Sequence, residues 1–119
     1  MKTAEPTSET WEDLASVVLL LDHAARATLD RTTDHGLDCA HYTFGQGIYL
    51  AWAQACAMLP SGYDSPASTP AADAGVGQLL AAAEVRTRAL PMDSAALGGL
   101  SQLVLDLCDL IREARALGY

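Results

Sequence analysis

Asparagine is absent from this sequence, phenylalanine occurs once, and a single lysine, Lys2, stands against six arginines. β-Branched residues are also few, whereas alanine is very common, and this composition favours helix over strand. We therefore expect an all-α fold without a sheet. The preference for arginine and the lack of asparagine are typical of a GC-rich genome, which predicts a bacterial source.

Cysteine is scarce as well: only Cys39, Cys56 and Cys108 are present. An odd number, with two of the three inside apolar helical segments, does not make a disulfide framework. We expect three free thiols, which fits a reducing cytoplasm. The first fourteen residues have no apolar segment behind a basic start, so the sequence predicts no signal peptide.

Long apolar runs and basic patches are also missing. The run VVLLL at residues 17–21 spans five positions, and no run reaches the roughly 20 residues that a membrane-spanning helix needs. The formal net charge is −8, which repels nucleic acid and anionic lipid. The acidic excess is concentrated in the first 38 residues. It indicates either an acidic face for a basic partner or, as charge runs more often do, a solvated helix face.

The chain is organised around the segment from Tyr42 to Leu59. From Gly47 onward its thirteen residues include one conventional polar side chain, Gln54. The segment is too long for a strand, so it predicts a helix that is apolar nearly all round, and such helices are usually buried.

Four helices are predicted, over residues 10–33, 38–59, 70–90 and 93–117, after a flexible N-terminus at 1–9 and with a proline-containing loop at 60–69. The last has the clearest apolar stripe, at Leu100, Val104, Leu107 and Ile111. Short, long and short connections predict a single-domain antiparallel four-helix bundle over 10–119, which we expect to dimerise. The alternatives are another all-α packing, or a bundle that a second chain completes.

No motif for catalysis or for a cofactor is recognisable. His35, Asp38, Cys39 and His41 are metal-ligand types close in sequence, but their spacing matches no standard zinc pattern and no second ligand pair follows. The more economical interpretation makes Asp38 a helix cap and places the histidines on a polar turn. The sequence thus predicts no catalytic residue, no metal site and no cofactor.

Aromatic residues on the central helix allow one small-molecule hypothesis. Pockets inside helical bundles are mostly apolar with a few polar groups, and Tyr42, Tyr49, Trp52 and Gln54 could line such a pocket. In that case the protein would be a ligand-binding bundle or an accessory enzyme domain. The alternative is that these aromatic rings pack in the core or at an interface.

Self-association is the second functional hypothesis, and the one that the sequence favours. Gly47, Ala51 and Ala55 repeat every four residues and form a smooth helix face, while Leu19 and Leu20 lie at or beyond the margin of the first helix's apolar stripe. Apolar surface in excess of one core is commonly covered by two-fold pairing. The sequence therefore predicts a non-enzymatic homodimer, or a complex with another protein, with these five residues at the interface.

Overall fold

The computed structural model describes residues 7–35, 39–63 and 74–119, without the side chains of residues 33–35, 39 and 95. In these ranges the chain forms four α-helices, and no strand is found among them. The helices are α1 (Ser8–His35), α2 (Cys39–Met58), α3 (Val76–Arg88) and α4 (Leu100–Leu117), with a short 3-10 turn at Ala95–Leu97. The all-α prediction is confirmed.

The helices pack around one apolar core, in which α1 and α4 each lie against both α2 and α3. The largest side chains with less than 2% exposure come from all four helices and from the 3-10 turn: Leu14, Val17, Leu21, Phe44, Ile48, Leu80, Leu97, Leu100, Leu103 and Leu107. The apolar stripe of α4 faces this core as its periodicity predicts. Burial of these groups is the main source of stability.

The ends of the helices differ from the predicted bounds because local hydrogen bonds decide where each helix begins. Helix α1 starts at Ser8, two residues earlier than expected, since the hydroxyl of Thr7 accepts the N–H of Thr10 at 3.2 Å. Helix α3 starts at Val76, after Gly75 in an extended conformation, whose N–H donates to Gln78 Oε1 at 3.0 Å. The predicted start of this helix, at residue 70, lies outside the described residues.

Helix α4 also begins later than predicted, because the 3-10 turn and the pair Gly98–Gly99 precede it. Its end agrees with the prediction: Gly118 adopts a left-handed conformation with φ of 84° and closes the helix. This turn brings Tyr119 back against the bundle. A Cβ atom at Gly77 of α3 would lie 3.3 Å from the carbonyl oxygen of Tyr119, which explains a glycine inside that helix.

Candidate interaction site on helix α2

Helix α2 exposes an uncharged face to solvent. We call the following exposed residues the outer face of α2: Tyr42, Thr43, Gln46, Tyr49, Leu50, Ala53 and Ala57. The side chains of Tyr42, Tyr49 and Leu50 are 45%, 42% and 67% exposed. The sequence of α2 contains no Asp, Glu, Lys or Arg, so the charged groups beside this surface come from a neighbouring helix: Asp106 and Asp109 of α4 line a groove next to Leu50.

The orientation of α2 follows from its opposite side. Phe44, Ile48, Ala51 and Ala55 are spaced by four, three and four residues and are each 0–1% exposed. Because this stripe faces the core, the residues on the opposite side of α2 face water. Because those residues are also mostly apolar, α2 presents hydrophobic surface on both sides.

The large exposed hydrophobic residues on the other elements lie next to charged side chains. Val85 of α3 is 66% exposed and is followed by the exposed Arg86. Leu105 of α4 is 60% exposed, one helical turn from the exposed Asp109. Single exposed apolar residues are normal on protein surfaces, whereas a continuous apolar strip marks a contact site. Within the described ranges, the outer face of α2 is therefore the best candidate for a functional site.

The four residues of the small-molecule hypothesis lie on different sides of α2. Tyr42 and Tyr49 lie on the outer face, and Tyr49 meets the half-buried Trp52 edge to face, with ring centroids 5.2 Å apart. Gln54 lies toward α4, where its Nε2 donates to Asp106 Oδ2 at 2.7 Å. The side chain of Gln54 therefore lies away from the aromatic residues with which the hypothesis groups it.

Gln54 does line an open groove of about 240 Å³ between α2 and α4, together with Gly47, Leu50 and Asp106. The carboxylate of Asp106 already accepts hydrogen bonds from Gln54 and, at 2.9 Å, from Gln102 Nε2. A larger open groove of about 560 Å³ lies between the start of α3 and the end of α4, and none of the predicted ligand-binding residues lines it. Neither groove has the enclosed apolar character of a typical ligand pocket.

The predicted interface residues require a correction. Ala51 and Ala55 are 1% and 0% exposed, and Leu20 is 8% exposed, so all three belong to the core of a single chain. Leu19 is half-buried, and a Cβ atom at Gly47 would lie 3.1 Å from Leu110 Cδ2. Ala51 and Ala55 of the smooth Gly/Ala face are thus used for close packing inside the chain, whereas the half-buried Gly47 lines the open groove between α2 and α4.

A cluster that the sequence did not indicate joins the ends of three helices around Tyr119. Its hydroxyl lies 2.8 Å from His41 Nδ1, and its ring lies 5.1 Å from that of Phe44. The guanidinium of Arg31 stacks over the same ring at 4.6 Å. His41 is thus engaged in a structural contact. The side chains of the other residues considered as metal ligands, His35, Asp38 and Cys39, lie outside the description.

Two of the three thiols are described, and both Cys56 and Cys108 are free. Burial raises the pKa of the Cys56 thiol, and the negative charge of Asp22 on α1 raises this pKa further. Asp22 itself bonds Arg26 Nε at 3.1 Å. Because the thiolate is the nucleophile, Cys56 is poorly suited to catalysis.

The Cys56 environment predicts slow alkylation. We take a variant in which Cys56 is the only thiol. Its rate of reaction with iodoacetamide should rise at a higher pH than the rate for a cysteine in an unstructured peptide. Asp22→Asn should shift this pH profile downward, because a charge that disfavours the thiolate is removed. Asp30→Asn, at an exposed position of the same helix, serves as the control and should leave the profile in place. Equal profiles for Cys56 and the peptide would contradict the shift.

Comparison with known proteins provides no relative: no family model, curated protein or solved structure matches this chain. Across the described ranges, no helix has both the length and the apolar character needed to cross a bilayer. Over the residues that it describes, the structure therefore defines a class, an all-helical domain with four α-helices.

Proposed function

We propose that this protein is a non-enzymatic helical protein that acts by associating with another folded chain through the outer face of α2. The observation that carries the proposal is the exposure of Tyr42, Tyr49 and Leu50 on a helix without a charged residue. Water contact with this strip is unfavourable by about 25 cal/mol per Å² of apolar area. Covering it with a partner removes that cost.

The outer face also has the composition of an interface centre. Tyrosine is enriched at protein interfaces, whereas charged residues are depleted from their cores. A tyrosine ring combines a large apolar area with a hydroxyl that can stay hydrated. The spacing of Thr43, Gln46, Leu50, Ala53 and Ala57 alternates between three and four residues, as in helices that pack along a seam.

The proposal includes an antiparallel order of the helices, since partner residues run in opposite directions along neighbouring helices. Between α2 and α4, His41 meets Tyr119 while Gln54 meets Asp106. Between α3 and α4, Gly77 approaches Tyr119 while Arg88 bonds the thiol of Cys108. It also includes a cytoplasmic location, which the free thiols of Cys56 and Cys108 support.

The association is tested with Leu50→Arg and its matched control Val85→Arg. The two positions are 67% and 66% exposed, so both variants should fold, as far-UV circular dichroism will show. In light scattering at micromolar concentration we expect an oligomer for the wild type and for Val85→Arg. Leu50→Arg should weaken the association by at least about 30-fold, the effect of losing one hot-spot residue of about 2 kcal/mol.

A wild-type monomer that also captures no partner through this face would overturn the proposal. The same conclusion would follow if Leu50→Arg and Val85→Arg behaved alike. Binding of a small molecule that protects Tyr49 and Trp52 fluorescence from quenching, without any association, would favour the ligand hypothesis instead.

A further inference from the structure

We infer that the partner at the outer face of α2 is a second copy of this chain, with the two α2 helices antiparallel about a two-fold axis at Tyr49–Leu50. This inference rests on the proposed function and adds both the identity of the partner and the register of the contact. Two independent properties of the described residues support it, the distribution of charge and the distribution of side-chain size.

Charge restricts where two copies can meet. The chain has a formal net charge of −8, so two copies repel each other. The exposed faces of α1 and α4 carry carboxylates, among them Glu9, Glu12 and Asp30 on α1 and Asp109 and Glu113 on α4. Pairing through either face would take these carboxylates, and the arginines beside them such as Arg26 and Arg112, out of water, which is costly. The outer face of α2 has no charged residue of its own, and only Asp106 and Asp109 of α4 adjoin it beside Leu50, so self-association there removes fewer charges from water than pairing through α1 or α4.

The same absence of charge disfavours partners of strongly basic or acidic character at this face. A basic protein would be attracted to the carboxylates of α1 and α4, where opposite charges can meet, and would gain nothing from α2. A complementary surface for α2 has to be uncharged and apolar. Among the described helices of this chain, α2 itself is the one whose sequence has no Asp, Glu, Lys or Arg.

Side-chain size selects the direction of pairing. The larger residues Tyr42 and Gln46 lie in the first part of the outer face, Tyr49 and Leu50 lie at its centre, and the small residues Ala53 and Ala57 lie in the last part. A parallel pair would place Tyr42 beside Tyr42 at one end and Ala57 beside Ala57 at the other. The tyrosine end would be crowded and the alanine end would contain a cavity, and both packing defects are unfavourable.

An antiparallel pair removes this mismatch. With the two-fold axis between the levels of Tyr49 and Leu50, Tyr42 lies level with Ala57 of the second copy, and Gln46 lies level with Ala53. Each of these matches occurs twice because the contact is symmetric. Gln46 faces a single methyl group, which leaves its flexible side chain room to reach water at the edge. Leu50 approaches the Leu50 of the second copy across the axis.

Disulfide trapping tests this register. The background carries Cys39→Ser, Cys56→Ala and Cys108→Ser, and circular dichroism verifies that it is helical. On this background we introduce Leu50→Cys, or Val85→Cys as the control of equal exposure, and add a mild oxidant. Leu50→Cys should give at least about tenfold more covalent dimer than Val85→Cys, because pairing raises the effective thiol concentration far above micromolar.

The direction is tested by mixing two single-cysteine chains, Tyr42→Cys and Ala57→Cys. The antiparallel register brings position 42 of one copy level with position 57 of the other, so the mixed disulfide should dominate over both symmetric ones. Two cysteines at position 42 would lie roughly 22 Å apart along the helix axis, given 1.5 Å per residue. That separation is beyond the reach of a disulfide.

The outcomes separate the two proposals. A dimer in light scattering whose symmetric 42–42 and 57–57 disulfides dominate would overturn the antiparallel register and leave the association intact. A dimer in which Leu50→Cys and Val85→Cys cross-link equally would show that the two-fold axis is elsewhere. A monomer, or a complex formed only with a different protein, would overturn the assignment of a second copy.

Discussion

Phe44→Ala is expected to cost about 3–5 kcal/mol of unfolding free energy, the range for removing a fully buried aromatic side chain. Phe44 is the only phenylalanine of the chain and is 0% exposed. It packs in the core cluster with Ile48, and its ring contacts that of Tyr119 at 5.1 Å. The variant leaves a cavity where the end of α4 meets the beginning of α2.

Such a loss is a large part of the total, since domains of this size are stable by about 5–15 kcal/mol. Chemical denaturation followed by circular dichroism measures the change. Tyr42→Ala is the matched control, because it removes an aromatic ring two residues away on the exposed side of the same helix. In the monomer we expect its effect to stay within about 1 kcal/mol. Similar losses for the two variants would mean that α2 is rotated relative to the structure.

Ala51→Arg is expected to unfold the monomer or to destabilise it by about 5 kcal/mol or more. Ala51 is 1% exposed at the centre of the core stripe of α2. A longer side chain there overfills the core, at about 1–3 kcal/mol, and the buried guanidinium without a partner adds several kcal/mol. Loss of the helical signal in far-UV circular dichroism at 25 °C would be the direct observation.

Ala53→Arg is the corresponding change two residues further on, where the side chain is exposed. This variant should keep its helical signal and its denaturation midpoint as a monomer. At the proposed contact, however, the charge should prevent dimer formation. The pair therefore distinguishes the inner from the outer face of α2. A folded, monomeric Ala51→Arg together with a dimeric Ala53→Arg would restore the Gly/Ala interface that the sequence alone predicted.

The helices and much of the core could be predicted from the sequence, because hydrophobic periodicity is a local property. Leu100, Leu103, Val104 and Leu107 of α4 are buried as their three-and-four spacing predicts. The starts of α1, α3 and α4 were less accessible. They depend on which nearby group accepts or donates a hydrogen bond, as Thr7 and Gln78 do, and several candidates compete within a few residues.

The candidate site was predicted only in part. Tyr42 and Tyr49 were predicted as ligand-binding residues, with packing in the core or at an interface as the alternative, whereas Leu50, Ala53 and Ala57 were assigned no role. The alternating spacing of Gln46, Leu50, Ala53 and Ala57 was the signal that could have indicated them. It was obscured because the same helix contains an equally apolar stripe through Ile48 and Ala55.

The sequence by itself determined that the chain is helical, that its longest uncharged segment is the central helix, and that this helix has more apolar surface than one core can bury. Only the tertiary structure decided which side of α2 is inside. Hydrophobic attraction has no direction, so a helix that is apolar all round does not specify its own rotation. Close packing of Gly47 on Leu110 and of Phe44 on Tyr119, across 63 and 75 residues of sequence, selects the inner side. The remaining side, with Tyr49 and Leu50, is left exposed.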